Sequence, residues 1–200
     1  LDISKLSTGV ATVELDINDA ADATPGDLTG TVSNHVDQVV NIKHTVSDAT
    51  DTNDSDGVAY TITSATDTAA DAVTVTLDGI GAGSGLVDVN WGVNLLNVAT
   101  FETVNISSDT NSAITYAANG STVANAIGKV TANTVDVVTA TNATSAVITG
   151  AADLTLTDFN NGTALTSLDA SALAGKFVAT IAAAKTAVKM GQKDSTITFD

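Results

Sequence analysis

The stretch Ala146-Val-Ile-Thr-Gly-Ala-Ala-Asp-Leu-Thr-Leu-Thr157 decides the fold. It holds two strand-like runs, Ala146 to Thr149 and Asp153 to Thr157, with only small residues between them. Their Val, Ile and Thr side chains are β-branched and pack well on a pleated surface. Further runs follow at Ser167 to Asp169, Phe177 to Ile181, Thr186 to Met190 and Thr196 to Phe199. From about residue 86 onward the runs are short and recur at roughly 8 to 12 residues, a rhythm shared by sandwiches and by the sides of a β-solenoid. Hairpin dipeptides are scarce, the main ones being Asp56-Gly57, Asp78-Gly79, Asn119-Gly120 and Asn161-Gly162. A meander of so many strands would need more tight two-residue turns, so the spacing favours a solenoid.

Working outward, strand-like runs also occupy Val10 to Leu15, Val36 to Val46, Val58 to Thr63, Ala72 to Asp78, Leu86 to Trp91, Thr103 to Ser107, Ala113 to Tyr116 and Thr134 to Thr139. The segment Ala182 to Lys189 reads equally as a helical turn or a strand. The clearest seam is the Gly-rich 79–85 segment, which divides an acidic β-rich part at 1–80 from a repetitive part at 86–200. The expectation is an all-β chain, solenoidal at least in its second half. Its first part either continues the solenoid or forms a sandwich-like unit.

Composition narrows the function. The 200 residues carry 23 Asp and Glu against 7 Lys and no Arg, a net charge of -16. Only Glu14 and Glu102 among the acids are not Asp. Such a surface repels phosphate backbones, which excludes nucleic acid as a partner. The 44% hydrophobic fraction argues against disorder, and the 4% aromatic fraction leaves Val, Ile, Leu and Ala to build thin, repetitive core layers. Cys is absent, which removes disulfides and Cys-based metal sites. Calcium would supply comparable support, since hard cations take Asp, Asn and backbone oxygens. No apolar run approaches the roughly 18 residues that span a bilayer. Leu1 and Asp200 both read as cut ends, so a segment of a longer protein is expected.

The runs Ala72-Val-Thr-Val-Thr-Leu-Asp78, Phe101-Glu-Thr-Val-Asn-Ile-Ser107, Ile148 to Thr157 and Leu165-Thr-Ser-Leu-Asp-Ala-Ser-Ala-Leu173 resemble bacterial surface-layer proteins. The resemblance is to the calcium-binding, RTX-related kind exported by type I secretion, as in Caulobacter and Campylobacter, and covers roughly residues 70 to 200. It implies a right-handed parallel β-solenoid, an extracellular cell-surface location, and calcium-driven self-assembly into a lattice. It departs from the family's pattern at the calcium repeat. The nearest approach, Met190-Gly-Gln-Lys-Asp-Ser-Thr-Ile197, keeps Gly191 and Ile197 but has Met190, Lys193 and Ser195 where two Gly and an Asp belong.

Three groups are candidate calcium ligands. The first is Asp48, Asp51, Asn53, Asp54 and Asp56; it is not an EF-hand, because Ile62 stands in place of the closing Glu. Its plain alternative is a solvated acidic loop. The second is Asp16, Asn18, Asp19 and Asp22, with Asp27 beyond; Asp16 to Asp19 is similar to the linker of cadherin-type repeats, and the plain alternative is a strand end held by Asx-turns. The third is Asp153, Asp158 and Asp169, which follow strand-like runs at comparable phases and are expected to stack on one solenoid face and share a cation, or else to be ordinary corner residues.

Catalysis finds little footing. His35 and His44 are the only histidines, and on one continuous strand they would face opposite sides. No nucleophile elbow, zinc-binding helix motif or phosphate loop is present. Trp91, Tyr60 and Tyr116 are too few for a sugar platform, although surface polysaccharide binding without catalysis stays open. The N-x-Ser/Thr sequences at Asn53, Asn105, Asn119, Asn142 and Asn161 follow from the abundance of those residues. The sequence therefore reads as a non-enzymatic, calcium-dependent lattice protein that pairs with itself, the alternative being an extender module of a calcium-stabilised adhesin.

Overall fold

Among the described residues, all strands but one short pair alternate between two sheets. A computed structural model describes residues 1–6, 10–17, 28–44, 58–78, 93–109, 114–115, 127–128, 132–160, 164–182 and 186–200. The first sheet contains β1 (Thr12–Ile17), β3 (Val39–His44), β5 (Ala72–Asp78), β7 (Thr103–Asp109), β11 (Ser145–Gly150), β13 (Ser167–Leu173) and β15 (Ala187–Lys189), side by side in that order. The second contains β2 (Leu28–His35), β4 (Val58–Ser64), β6 (Val93–Asn97), β10 (Ala132–Thr139), β12 (Asp153–Asn160), β14 (Phe177–Ile181) and β16 (Thr196–Phe199). Every neighbour within these sheets is parallel. Each coil thus gives one strand to each sheet, and the two sheets face one another across a shared core: a parallel β-solenoid. A two-residue antiparallel pair, β8 (Ile114–Thr115) with β9 (Ile127–Gly128), stands outside both.

The core follows from alternation. In β7 the residues Val104, Ile106 and Ser108 point inward and Thr103, Asn105 and Ser107 outward, as the two-residue period of a strand requires. Parallel register then stacks like on like. Val13, Val40, Val75, Ile106 and Ile148 form one inner ladder. Tyr60, Leu96, Val138, Phe159 and Ile181 form another in the second sheet. Phe101, Phe159 and Phe177 are the largest fully buried side chains. With so few aromatics, the space between the sheets is filled by layers of Val, Ile, Leu and Ala.

Of the two alternatives for the first part, continued solenoid or sandwich-like unit, the topology shows the solenoid. β1, β3 and β5 pair in the same parallel sense as the later strands, and β5 pairs directly with β7, on the far side of the Gly-rich seam. The 79–85 segment itself lies outside the described residues. A correction concerns Val36 to Val46. The chain turns at 36–38, so β2 ends at His35 and β3 begins at Val39. Val36, 65% exposed, sits on the corner, which its apolar character hides. Of Ala182 to Lys189, the described part that forms regular structure is strand β15.

The two flanks of the solenoid differ. Turns from the second sheet to the first are short in every coil, spanning 36–38, 65–71, 98–102, 140–144, 161–166 and 182–186. Hydrogen bonds join them from coil to coil. Thr144 Oγ1 donates to Glu102 O (3.3 Å), Thr166 Oγ1 to Thr144 O (3.0 Å) and Thr186 Oγ1 to Leu165 O (3.0 Å). On the other flank the connections are tight only late in the chain, at 151–152 and 174–176. There Gly150 adopts φ 113°, and a Cβ on it would collide with the Ser108 backbone. Gly175 is held against the Ala152 carbonyl in the same way. Coils this tight bring backbone onto backbone, and only Gly leaves room.

Candidate functional site

Parallel register builds polar rows as well as apolar ones. At the ends of the early first-sheet strands, Asp16 lies opposite Lys43, Lys43 opposite Asp78, and Asp78 opposite Asp109. Lys43 Nζ pairs with Glu14 Oε1 at 3.3 Å, across β1 and β3. Asp78 is buried. Beside it Asn133, wholly buried, donates through Nδ2 to Ser108 Oγ (2.8 Å), Asp109 O (3.0 Å) and Leu77 O (3.3 Å). Ser108 Oγ in turn donates to Asp153 O at 3.0 Å. This knot ties the ends of β5, β7, β10 and β12 together where the chain leaves the first sheet.

The first two candidate calcium groups adjoin this same flank in sequence. Asp16 lies near the end of β1, while Asn18, Asp19 and Asp22 lie outside the described residues, as do Asp48, Asp51, Asn53, Asp54 and Asp56 beyond β3. The strands that deliver them are neighbours, since Ile17 pairs with His44. The chain therefore enters both acidic segments from adjacent points on one flank. Among the described residues no group of three or more His, Asp or Glu side chains is arranged to hold a metal ion.

The third group does not assemble on one face. Asp153 and Asp158 lie on β12 in the second sheet, at its start and beyond a register shift, whereas Asp169 lies on β13 in the first. Each of two has its own partners instead. Asp153 Oδ1 accepts from the Lys176 backbone N–H (2.7 Å) and meets Lys193 Nζ at 3.5 Å. Asp169 accepts from the Ser171 hydroxyl and backbone N–H and pairs with Lys189 Nζ at 3.0 Å. These hydrogen bonds, Ser171 first, with the Lys189 charge adding to them, hold the Asp169 carboxyl at about 2, below its usual 3.8. Asp71 is also lowered, chiefly by the Thr68 hydroxyl and then its backbone N–H. Asp158 is half-buried opposite Val137.

The two histidines do not share a strand: His35 ends β2 and His44 ends β3, in different sheets. His35 is buried edge-on against Phe101, ring centroids 5.4 Å apart. Its Nε2–H donates to Gln38 O at 2.6 Å, because a carbonyl can only accept, and Nδ1 has no partner. A cleft of about 340 Å³ runs beside it, lined in part by Asp37, Gln38, Asp71 and Thr74. This arrangement orders the 36–38 turn.

Sequence reasoning missed Asn133, Ser108 and the Thr144, Thr166, Thr186 series. Asn133 had one available signal: counting the strand alternation back from Val135 puts it inside. No protein-family model, curated protein or solved structure matches this chain. No helix among the described residues is long and apolar enough to cross a membrane.

Proposed function

We propose that this chain is a structural component of a bacterial cell-surface layer that assembles with copies of itself when calcium is bound. The observation that carries the reading is the union of a regular two-sheet parallel solenoid with a net charge of -16. A solenoid is a rod with repeating lateral faces, suited to tiling. At that charge copies repel one another until cations neutralise the acids. An extracellular milieu rich in calcium supplies them, and ion binding that favours the folded form adds to its stability. The role is mechanical, with no catalytic step.

Light scattering with far-UV circular dichroism tests this, first in millimolar calcium and then in chelator. Calcium is expected to raise β content and drive assembly into large particles, both reversed by chelator. Order without assembly would support the adhesin extender instead. A folded monomer indifferent to chelator would remove the calcium argument altogether.

A further inference from the structure

Two stacked corners of the solenoid differ in length. The turn at 36–38 is three residues long, and its neighbour in the next coil, 65–71, is seven. They are tied at both ends, because the Ala65 N–H donates to His35 O at 2.8 Å and Val39 pairs with Thr74. Turns so unequal cannot pack residue against residue, and between them lies the cleft of about 340 Å³ beside His35. We propose that this cleft binds a primary alkylammonium group, holding both its N–H donors and its alkyl stem.

The polar lining calls for a donor. The His35 ring is buried and its Nε2–H is spent on Gln38 O, so Nδ1 is a lone pair that no protein group reaches. A buried acceptor without a donor costs free energy, and a bound N–H recovers it. The lining also holds two acids, Asp37 and Asp71, one on each turn, and no lysine. Asp71 is fixed in place, since Oδ1 accepts from Thr68 Oγ1 (2.6 Å) and Oδ2 from the Thr68 N–H (2.9 Å). Each of its oxygens keeps a further acceptor position. The rest of the lining includes Val36, Ala70 and Ala72. Val36 is an apolar side chain exposed on a polar corner, and an alkyl stem laid along it gives it a partner.

Other ligands match fewer of these groups. Calcium takes oxygen ligands and leaves an imidazole nitrogen unused. An anion meets two carboxylates in a chain of net charge -16. A neutral polyol donates hydrogen bonds but gains nothing from the acids. The ammonium can come from a free alkylamine or from a lysine of another copy. The inference depends neither on calcium nor on assembly into a layer.

The test follows the nitrogen NMR resonance of His35 Nδ1 at about pH 8, where an alkylamine is protonated. A His44→Gln chain leaves His35 as the sole histidine; if circular dichroism shows that this variant does not fold, the unaltered chain is used with its histidines assigned. n-Butylammonium chloride is titrated into dilute protein without calcium. A saturable displacement of Nδ1 toward its hydrogen-bonded position is expected, and Asp37→Asn, on an exposed corner, should weaken binding several-fold. A displacement that instead grows with protein concentration before amine is added, and disappears when the lysines are acetylated, would support the same chemistry with another copy's lysine as its source. Tetramethylammonium carries the charge without an N–H, and n-butanol carries the stem without the charge. An equal displacement by either would overturn the proposal. So would a displacement by zinc chloride where butylammonium gives none, or a resonance that responds neither to butylammonium nor to protein concentration.

Discussion

The first four coils and the last three share one pair of sheets yet differ on a single flank. In the early coils the connections leaving the first sheet occupy 18–27, 45–57, 79–92 and 110–131; in the late coils they shrink to 151–152, 174–176 and 190–195. The repeat shortens accordingly. Register partners are 31 residues apart at Thr74 and Asn105 but 20 apart at Asp169 and Lys189. Strand pairing and the inner ladders continue through both regions. The difference teaches that a parallel solenoid fixes two sides and one flank of each coil, and leaves the other flank free to take on length and charge. Charge has gone the same way: residues 1–144 hold 18 acids and 3 Lys, residues 145–200 hold 5 acids and 4 Lys. Two of the late acids are matched by lysines, Asp169 by Lys189 one coil on and Asp153 by Lys193 two coils on; the early acids greatly outnumber their lysines.

The largest expected effect follows from that imbalance. Converting Asp48, Asp51, Asp54 and Asp56 together to Asn should abolish calcium-induced assembly, whereas Asp153→Asn with Asp169→Asn should leave it intact. Light scattering against calcium concentration distinguishes them. Equal loss in both variants would show that the calcium response is not partitioned between the two regions.

Backbone crowding sharpens the comparison from the other side. Gly150→Ala asks an L side chain to accept φ 113° and to occupy space held by the Ser108 backbone. The cost should reach roughly 3 kcal/mol from strain and overpacking together. Gly30→Ala in an early coil meets the Tyr60 ring rather than backbone and has no positive φ to strain, so a smaller loss is expected. Urea unfolding of the two variants measures the difference, and an equal loss would mean the late coils are no tighter than the early ones.

These contrasts mark where the sequence could be read. β5, β14 and β16 coincide with runs visible as Ala72 to Asp78, Phe177 to Ile181 and Thr196 to Phe199, because alternation there is uninterrupted. β2 escaped notice: Gly30 and Asn34 interrupt it, and Asn34 takes a positive φ of 59°, a conformation Asn tolerates better than most residues. Leu86 to Trp91 lies outside the described residues, and β6 begins just after it. The solenoid itself was legible from run length and missing hairpin turns. The pairing of acids was not. Asp169 meets Lys189 and Asp153 meets Lys193 because of the coil lengths between them, and those lengths are set by turns with no fixed period.

The polar knot at the boundary of the two regions gives a further test. Asn133 joins β10 to the ends of β5 and β7, in early coils, and through Ser108 to Asp153 on late strand β12. Asn133→Ala leaves Ser108 Oγ and two carbonyls without this donor, at a cost of roughly 1–3 kcal/mol. Hydrogen exchange should show protection lost on both sides of Asn133. Loss confined to one side would mean the regions unfold separately.

The smallest effect distinguishes a paired acid from a solvated one. Asp169 is held at about 2 in the folded chain against a usual 3.8, by Ser171 first and then with help from Lys189. A carboxyl whose value is lowered on folding stabilises the fold while ionised. That contribution is fully present above the usual value and is lost as pH falls through the folded one. Acid should therefore weaken the last coils between about pH 4 and pH 2. The loss is modest, because both Lys189 and the carboxylate face water and the ion pair is screened. Carboxyl chemical shifts followed by NMR check the assignment: the Asp169 midpoint should lie at about 2, below its usual 3.8. Replacing Ser171 by Ala should raise the Asp169 midpoint more than replacing Lys189 by Met does. The reverse order would make the ion pair, rather than the short turn around Ser171, the element that holds the carboxylate at the edge of β13.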